Sequence, residues 1–171
     1  MPALTAETSV LLVVDLQQRL MPAIAGASEV LRNAARLVRA ATRLDVPVTT
    51  TEQDPAKLGP TVDEVAELLP APAVTKSTFA ASLQLERPRA VVCGCEAHVC
   101  VLQTVLALRA AGQDVAVVAD AVGSRAPENR EAALARMREH GVEVVTTEMV
   151  VFEWLGSSAN PAFREVQALI K

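Results

Sequence analysis

At 171 residues the chain suits one domain, spanning 1–171, and is long enough to bury a sizeable core. A composition that is 51% hydrophobic and 2% aromatic argues against a disordered chain. The net charge of −4 is spread over intermixed acids and bases, so neither nucleic acid nor a membrane surface is favoured as a partner.

In chain order, the first predicted strand covers residues 9–14. Its apolar run Val10–Val14 is far shorter than a membrane span or a signal-peptide core, and no basic segment precedes it, so a cytoplasmic location is expected. A helix over 28–44 follows, with Ser28 as a candidate N-cap. Its row Arg32, Arg36, Arg39 and Arg43 reads as a solvated outer face, because no aromatic residues interleave with it. Next come a strand over 47–51, a helix over 62–69, a strand over 72–76 and a short turn or helix near 80–84. The second half alternates strands over 89–94, 114–119 and 142–146 with helices over 98–111, 127–140 and 160–170, Pro127 opening one of them.

Strands alternating with helices indicate βαβ units and a parallel sheet. Because the strands are almost continuously apolar, helices should cover both faces, giving a three-layer α/β/α sandwich. Between Val99 and Ala111 only Cys100, Gln103, Thr104 and Arg109 interrupt the apolar character. A helix apolar on nearly all sides is buried on nearly all sides, which predicts a second subunit over it and hence a homo-oligomer, a dimer or higher.

Ligands of open parallel sheets bind beyond the carboxyl ends of the strands. The first predicted strand runs into Asp15, the third into Lys76, and the fourth into the stretch Gly94-Cys-Glu-Ala-His-Val-Cys-Val101. That stretch and Cys93 hold all three cysteines. An odd count in a reducing compartment is not a disulfide framework. Cys93, Cys95, His98 and Cys100 offer enough ligand types for zinc, but two of them lie in a strand and no second ligand pair follows, so no metal is expected. Each residue also has a plainer reading: Asp15 as a turn or cap, Lys76 as a solvated cation, Cys93 and Cys95 as core, His98 as a loop residue, and Cys100 as a small core hydrophobe. Taken jointly they suggest more. A thiol at a helix start beside an ammonium is inclined toward the thiolate, and a neighbouring carboxylate can move its proton. Backbone N–H groups of the 95–100 turn can receive an oxyanion. No G-x-S-x-G, Walker A or G-x-G-x-x-G motif competes.

Further segments sharpen the picture: Leu11-Leu-Val-Val-Asp-Leu-Gln17, Thr51-Glu-Gln53, Gly59-Pro-Thr-Val62, Lys76-Ser-Thr-Phe79 and Asp120-Ala-Val-Gly-Ser-Arg125. Met149-Val-Val-Phe-Glu-Trp-Leu155 and Asn160-Pro-Ala-Phe-Arg164 complete the set. In this order and spacing, over nearly the whole chain, the sequence resembles the isochorismatase-like cysteine hydrolase family. The resemblance implies a six-stranded parallel sheet of order 3-2-1-4-5-6 with a Rossmann-like layout. It implies a catalytic triad of Asp15, Lys76 and Cys100, and a cis peptide and oxyanion segment at Cys95, Glu96 and Ala97. Strand 3 would then lie two strands, roughly 10 Å, from strand 1, so Lys76 must lean across strand 2.

Nicotinamidases of this superfamily hold a metal through Asp and His residues after the second strand. Here that region reads Thr51-Glu-Gln-Asp-Pro55 and has no histidine, and no cofactor is expected. Isochorismatases proper lack the nucleophilic cysteine. The expected function is therefore a metal-independent hydrolase that cleaves an amide or carbamoyl C–N bond of a small molecule through a thioester. Gln17, Glu52, Phe79 and Trp154 are candidate pocket walls, with loops 16–27, 52–61 and 149–158 shaping selectivity. The alternatives are an isochorismatase-type ether hydrolase with Cys100 incidental, and a non-catalytic oligomeric or redox-sensing protein that has kept the fold.

Overall fold

Residues 4–171 are described by a computed structural model. Its centre is one parallel sheet of six strands in the order β3-β2-β1-β4-β5-β6. The strands are β1 (Ser9–Val14), β2 (Val48–Gln53), β3 (Val74–Lys76), β4 (Arg89–Cys95), β5 (Asp114–Gly123) and β6 (Glu143–Val145). The helices are α1 (Ala27–Arg43), α2 (Pro55–Leu58), α3 (Asp63–Ala66), α4 (Leu102–Ala110), α5 (Pro127–Glu139), α6 (Thr147–Leu155) and α7 (Phe163–Ala168). A π-helical turn, Ala97–Val101, leads directly into α4.

Every residue of β1 and β4 is buried, as expected of strands covered on both faces. Alternation along β1 sends Leu11 and Val13 into a core shared with α1, α6 and α7, and Leu12 and Val14 into a second core shared with α4 and α5. The same alternation places Cys93 and Cys95 in the first core, whereas Cys100 belongs to the second. The three cysteines that crowd together in sequence therefore face opposite sides of the sheet.

Several predicted boundaries shift, each for a local reason. β2 continues to Gln53, two residues past its predicted end, because polar residues at a strand terminus still pair: Gln53 is in register with Lys76. β3 is shortened to Val74–Lys76, since Pro72 lacks the N–H a ladder needs. β5 runs on to Gly123 through a register shift opposite Val92 and Gly94. The predicted loop at 149–158 is largely α6, which is capped by the Thr146 hydroxyl accepting from the Met149 N–H. The predicted helices over 62–69 and 160–170 contract to α3 and α7, α2 was not anticipated, and residues 80–84 form no helix. α1 starts one residue early, with Gly26 rather than Ser28 at its cap. The helix predicted to be apolar all round buries Leu102, Thr104, Val105 and Leu108, while Gln103, Ala107 and Ala110 are exposed and Leu106 is half-buried.

One residue fixes how closely β1 and β4 meet at their carboxyl ends. Gly94 pairs with Val14 and has φ 123°, and a Cβ there would lie 2.0 Å from the Val14 carbonyl oxygen. A side chain is excluded by both the backbone conformation and the space. Gly94→Ala is expected to cost more than about 2 kcal/mol in unfolding free energy, measured by urea denaturation, because it adds backbone strain to a clash with immobile backbone.

Candidate active site

Asp15 directly follows β1, where the chain takes the left-handed conformation (φ 49°) that Asp tolerates better than most residues. The Asp15 N–H still bonds the Thr51 carbonyl, so the residue stays tied to β2. Its carboxylate is fully buried. A buried charge must be paired and hydrogen-bonded to be tolerable. Both conditions hold: Thr51 Oγ1 donates to Oδ1 at 2.7 Å and Lys76 Nζ to Oδ2 at 2.8 Å.

Lys76 comes from the edge strand β3 and does cross β2. Its stem passes Gln53, its register partner, and Nζ donates to Gln53 Oε1 at 2.7 Å on the way to Asp15. The carbonyls of Thr78 and Phe79 also face the ammonium, at 3.3 and 3.2 Å. The Gln53 amide is fixed from its other end, Nε2 donating to the Ser77 carbonyl. Lys76, Gln53 and Asp15 thus form one chain of charge-assisted hydrogen bonds across three strands.

Cys100 arrives from the far side, on the π-helical turn after β4. There the Val101 N–H reaches back to the Glu96 carbonyl, and the peptide bond Cys95–Glu96 is cis. The Cys100 thiol lies 3.9 Å from Gln53 Oε1 and faces both Asp15 and Lys76. A cavity of about 390 Å³ opens over it, with Asp15, Gln53 and Cys100 on its wall. Arg19, Glu96 and Arg125 supply further polar wall, and Leu20, Ala23, Leu58, Phe79 and Val99 the apolar wall. A larger groove of about 800 Å³ runs beside α1, lined in part by Arg32, Arg36 and Arg39, but it contains none of these residues. Chemistry, not volume, singles out the smaller cavity.

The electrostatics correct one expectation. Cys100 is not inclined toward the thiolate; its pKa is pushed up to about 12. Burial is the main cause, followed by the charge and hydrogen bond of Asp15, and Lys76 offsets only part of this. The ammonium and the helix start favour the thiolate, but burial and the charge of the carboxylate beside the thiol outweigh them. The resting group is a thiol, in contact with a base. Burial also pushes Cys93 up to about 12 and Cys95 upward, consistent with core thiols.

The remaining predicted residues scatter. Phe79 reaches the cavity. Gln17 does not: fully buried, it staples β2 to the loop before α3, donating to the Gln53 and Gly59 carbonyls and accepting from the Gln53 N–H. Glu52, one residue out of phase with Gln53, points away and accepts from the N–H and hydroxyl of Thr61. Trp154 is buried in the core between α6 and α1. Ala97 is fully buried, and Glu96 turns its carboxylate to the backbone N–H and Nε of Arg125. His98 Nδ1 meets Ser124 Oγ at 2.9 Å. Among the described residues no three His, Cys, Asp or Glu side chains converge as metal ligands. Gln53, Thr51, Arg19 and Arg125 were missed. Gln53 obeys the same strand-end rule that found Asp15 and Lys76, and was lost only because β2 was ended at residue 51.

Because Asp15 raises the thiol pKa, Asp15→Asn is expected to lower it and speed alkylation of Cys100 by iodoacetamide, read as the rate against pH. Lys76→Met is expected to act in the opposite sense. A slower Asp15→Asn variant would show that the carboxylate does not govern the thiol.

The Isochorismatase domain model matches residues 9–149. Isochorismatase domain-containing protein 2 of Macaca fascicularis is 41% identical over 171 residues, covering 96% of this chain and 83% of that protein. Among solved structures, the MAR1 ribonuclease of Caenorhabditis elegans superposes with a TM-score of 0.95 at 35% identity, covering 99% of this chain and 92% of the other. YcaC from Pseudomonas aeruginosa, solved with hexane-2,5-diol and covalent acrylamide, gives a TM-score of 0.86 at 25% identity, covering 98% and 91%. The order of the sheet, the helices on its two faces and these matches agree: the chain belongs to the isochorismatase family.

Proposed function

We propose that the protein is a cysteine hydrolase acting in the cytoplasm on the C–N bond of a small amide or carbamoyl compound, with Cys100 as nucleophile, Asp15 as acid–base and Lys76 as the cation that orients Asp15. One observation carries the reading: a thiol and a carboxylate from separate elements meet at one cavity, and an ammonium from a third element is hydrogen-bonded to that carboxylate behind its wall.

The high thiol pKa dictates the order of events. Cys100 is a weak nucleophile until its proton leaves, so S–C bond formation and proton transfer to Asp15 occur together. The carbonyl oxygen gains the negative charge, which the N–H groups of the turn after Cys95 stabilise. As the C–N bond breaks, Asp15 returns the proton to the departing nitrogen, leaving an acyl thioester on Cys100. Water then attacks the thioester while Asp15 takes its proton. The C–S bond breaks, the acid leaves, and Asp15 reprotonates the thiolate. Lys76 keeps its proton throughout, holding the Asp15 carboxylate toward the thiol. The covalent acrylamide in the Pseudomonas protein supports the nucleophile in this reading, because acrylamide is an electrophile that a thiol takes up at its vinyl carbon, with the amide left intact.

Cys100→Ala is expected to reduce ammonia release from a panel of small amides by at least ~10³-fold, and adding Asp15→Asn to cost little more, since the two act as one unit. Full turnover by Cys100→Ala would discard the reading, and vinyl-ether cleavage by that variant would favour the ether hydrolase. Sulfenic acid on Cys100 without ammonia release would favour redox sensing. RNA is expected to remain intact under the same conditions.

The homo-oligomer belongs to the same proposal, with the exposed Gln103, Ala107 and Ala110 and half-buried Leu106 of α4 as the covered face. Sedimentation at micromolar concentration is expected to give a dimer or larger; a monomer would remove it.

A further inference from the structure

The ladder between β4 and β5 closes with Cys95 paired to Gly123. From there the chain leaves the sheet for the π-helical turn that carries Cys100. Side chains continue the pairing where the backbone stops. Glu96 accepts from the backbone N–H and Nε of Arg125. Two residues on, His98 Nδ1 lies 2.9 Å from Ser124 Oγ, a hydrogen bond that either group can donate.

Ser124 is a firm anchor. It is 1% exposed, and its carbonyl accepts from the Ala25 N–H ahead of α1. A Cβ on the preceding Gly123 would lie 2.7 Å from Ile24 Cγ2, so the end of β5 is packed hard against the same segment. The turn itself is held differently. The Val101 N–H bonds the Glu96 carbonyl, which closes the turn on itself, and Ala97 and Val101 are buried in packing contacts. Packing is not directional, whereas a hydrogen bond is. The His98–Ser124 bond therefore ties the middle of the turn in a fixed direction to a rigid strand end. His98 sits two residues before the thiol and is not part of the cavity wall.

We propose that His98 is a positioning residue: bonded to Ser124, it holds the π-helical turn so that the Cys100 thiol meets Asp15. For its effect on turnover the proposal rests on the hydrolase reading; for the placement of the thiol it does not. The proton transfers belong to Asp15, and His98 acts only through the turn. The assignment has a consequence of opposite signs. A turn released from Ser124 moves the thiol away from the carboxylate that helps hold its pKa up, so the thiol alkylates faster. The same movement separates nucleophile from base, so turnover slows.

The test compares His98→Leu and Ser124→Ala with the unmodified protein. Alkylation of Cys100 by iodoacetamide at pH 8, followed by mass spectrometry of its peptide, is expected to quicken about threefold in both. Asp15→Asn is expected to add little to the rate once His98 is leucine, because the contact it removes is already lost. In ammonia release from the small-amide panel, kcat is expected to fall about tenfold with KM unchanged. The double variant is expected to match either single one, since both remove one bond. His98→Asn keeps a polar atom near the former Nδ1 and is expected to restore most of both readouts. Cys93 and Cys95 are buried core thiols and report on the fold in the same digest. They are expected to stay unalkylated; their labelling alongside Cys100 would show a bond that supports the fold rather than the site, and would overturn the proposal. A Cys100 rate that is unchanged or slower in both variants overturns it too, even if Cys100→Ala still abolishes ammonia release and the hydrolase reading survives. Faster alkylation of Cys100 alone, in a protein that hydrolyses no amide, keeps the positioning role and sinks the hydrolase reading.

Discussion

A buried carboxylate organises this protein's active end. Asp15 lies at the tip of the central strand with no access to water, and an unpaired charge there would be prohibitively costly. The cation that pairs with it comes from an edge strand two positions away, so Lys76 extends over β2. The end of β2 must then carry a side chain that can accept from an ammonium without competing for the carboxylate. Gln53 meets that requirement with Oε1, and its own amide nitrogen is held by the Ser77 carbonyl. Thr51 supplies the remaining donor. Such a pair adds little net stability, because desolvating both ions offsets their attraction. Its value lies in holding an anion rigidly beside a thiol.

That placement has a chemical consequence. A thiol near a cation alone would ionise readily and would be open to oxidation and chance electrophiles. Burial and, after it, Asp15 counter this by pushing the thiol pKa up, and Asp15 is also the base in contact with the thiol. In the proposed reaction, nucleophile and base are activated together, when a carbonyl is present to accept the sulfur. The π-helical turn contributes by aiming Cys100 into the cavity while its neighbour Val101 remains in the core.

The fold was legible because β1, β4 and β5 are apolar runs of a length only buried strands share, separated by helical patterns. α6 was not: Met149, Val150, Val151 and Phe152 are β-branched, aromatic or flexible residues with no clear helical period, and only the capping Thr146 marked its start. Of the site, Asp15, Lys76 and Cys100 were visible because each is a polar or reactive residue at the carboxyl end of a strand or just after it. The pocket walls were not. Glu52 and Gln53 differ by one position in a strand, and that single step decides whether a side chain meets Lys76 or Thr61. The direction of the Cys100 pKa shift was also beyond sequence reasoning, since it depends first on how deeply the turn buries the thiol and then on its contact with Asp15.

The same strand geometry explains why three cysteines within eight residues do not converge in space. Positions 93 and 95 share a face because strand side chains repeat every two residues, and that face is the α1 core. Beyond residue 95 the chain leaves the sheet, and the turn delivers position 100 to the opposite face. Gly94 lies between the two buried thiols, and the contact it makes with Val14 keeps β4 tight against β1 up to the strand end. Any side chain at 94 would push the Cys100 turn away from Asp15. The spacing of this segment therefore serves to bring one thiol, from outside the sheet, against the one carboxylate buried at its centre, and the two other thiols are packing residues of the strand that carries it.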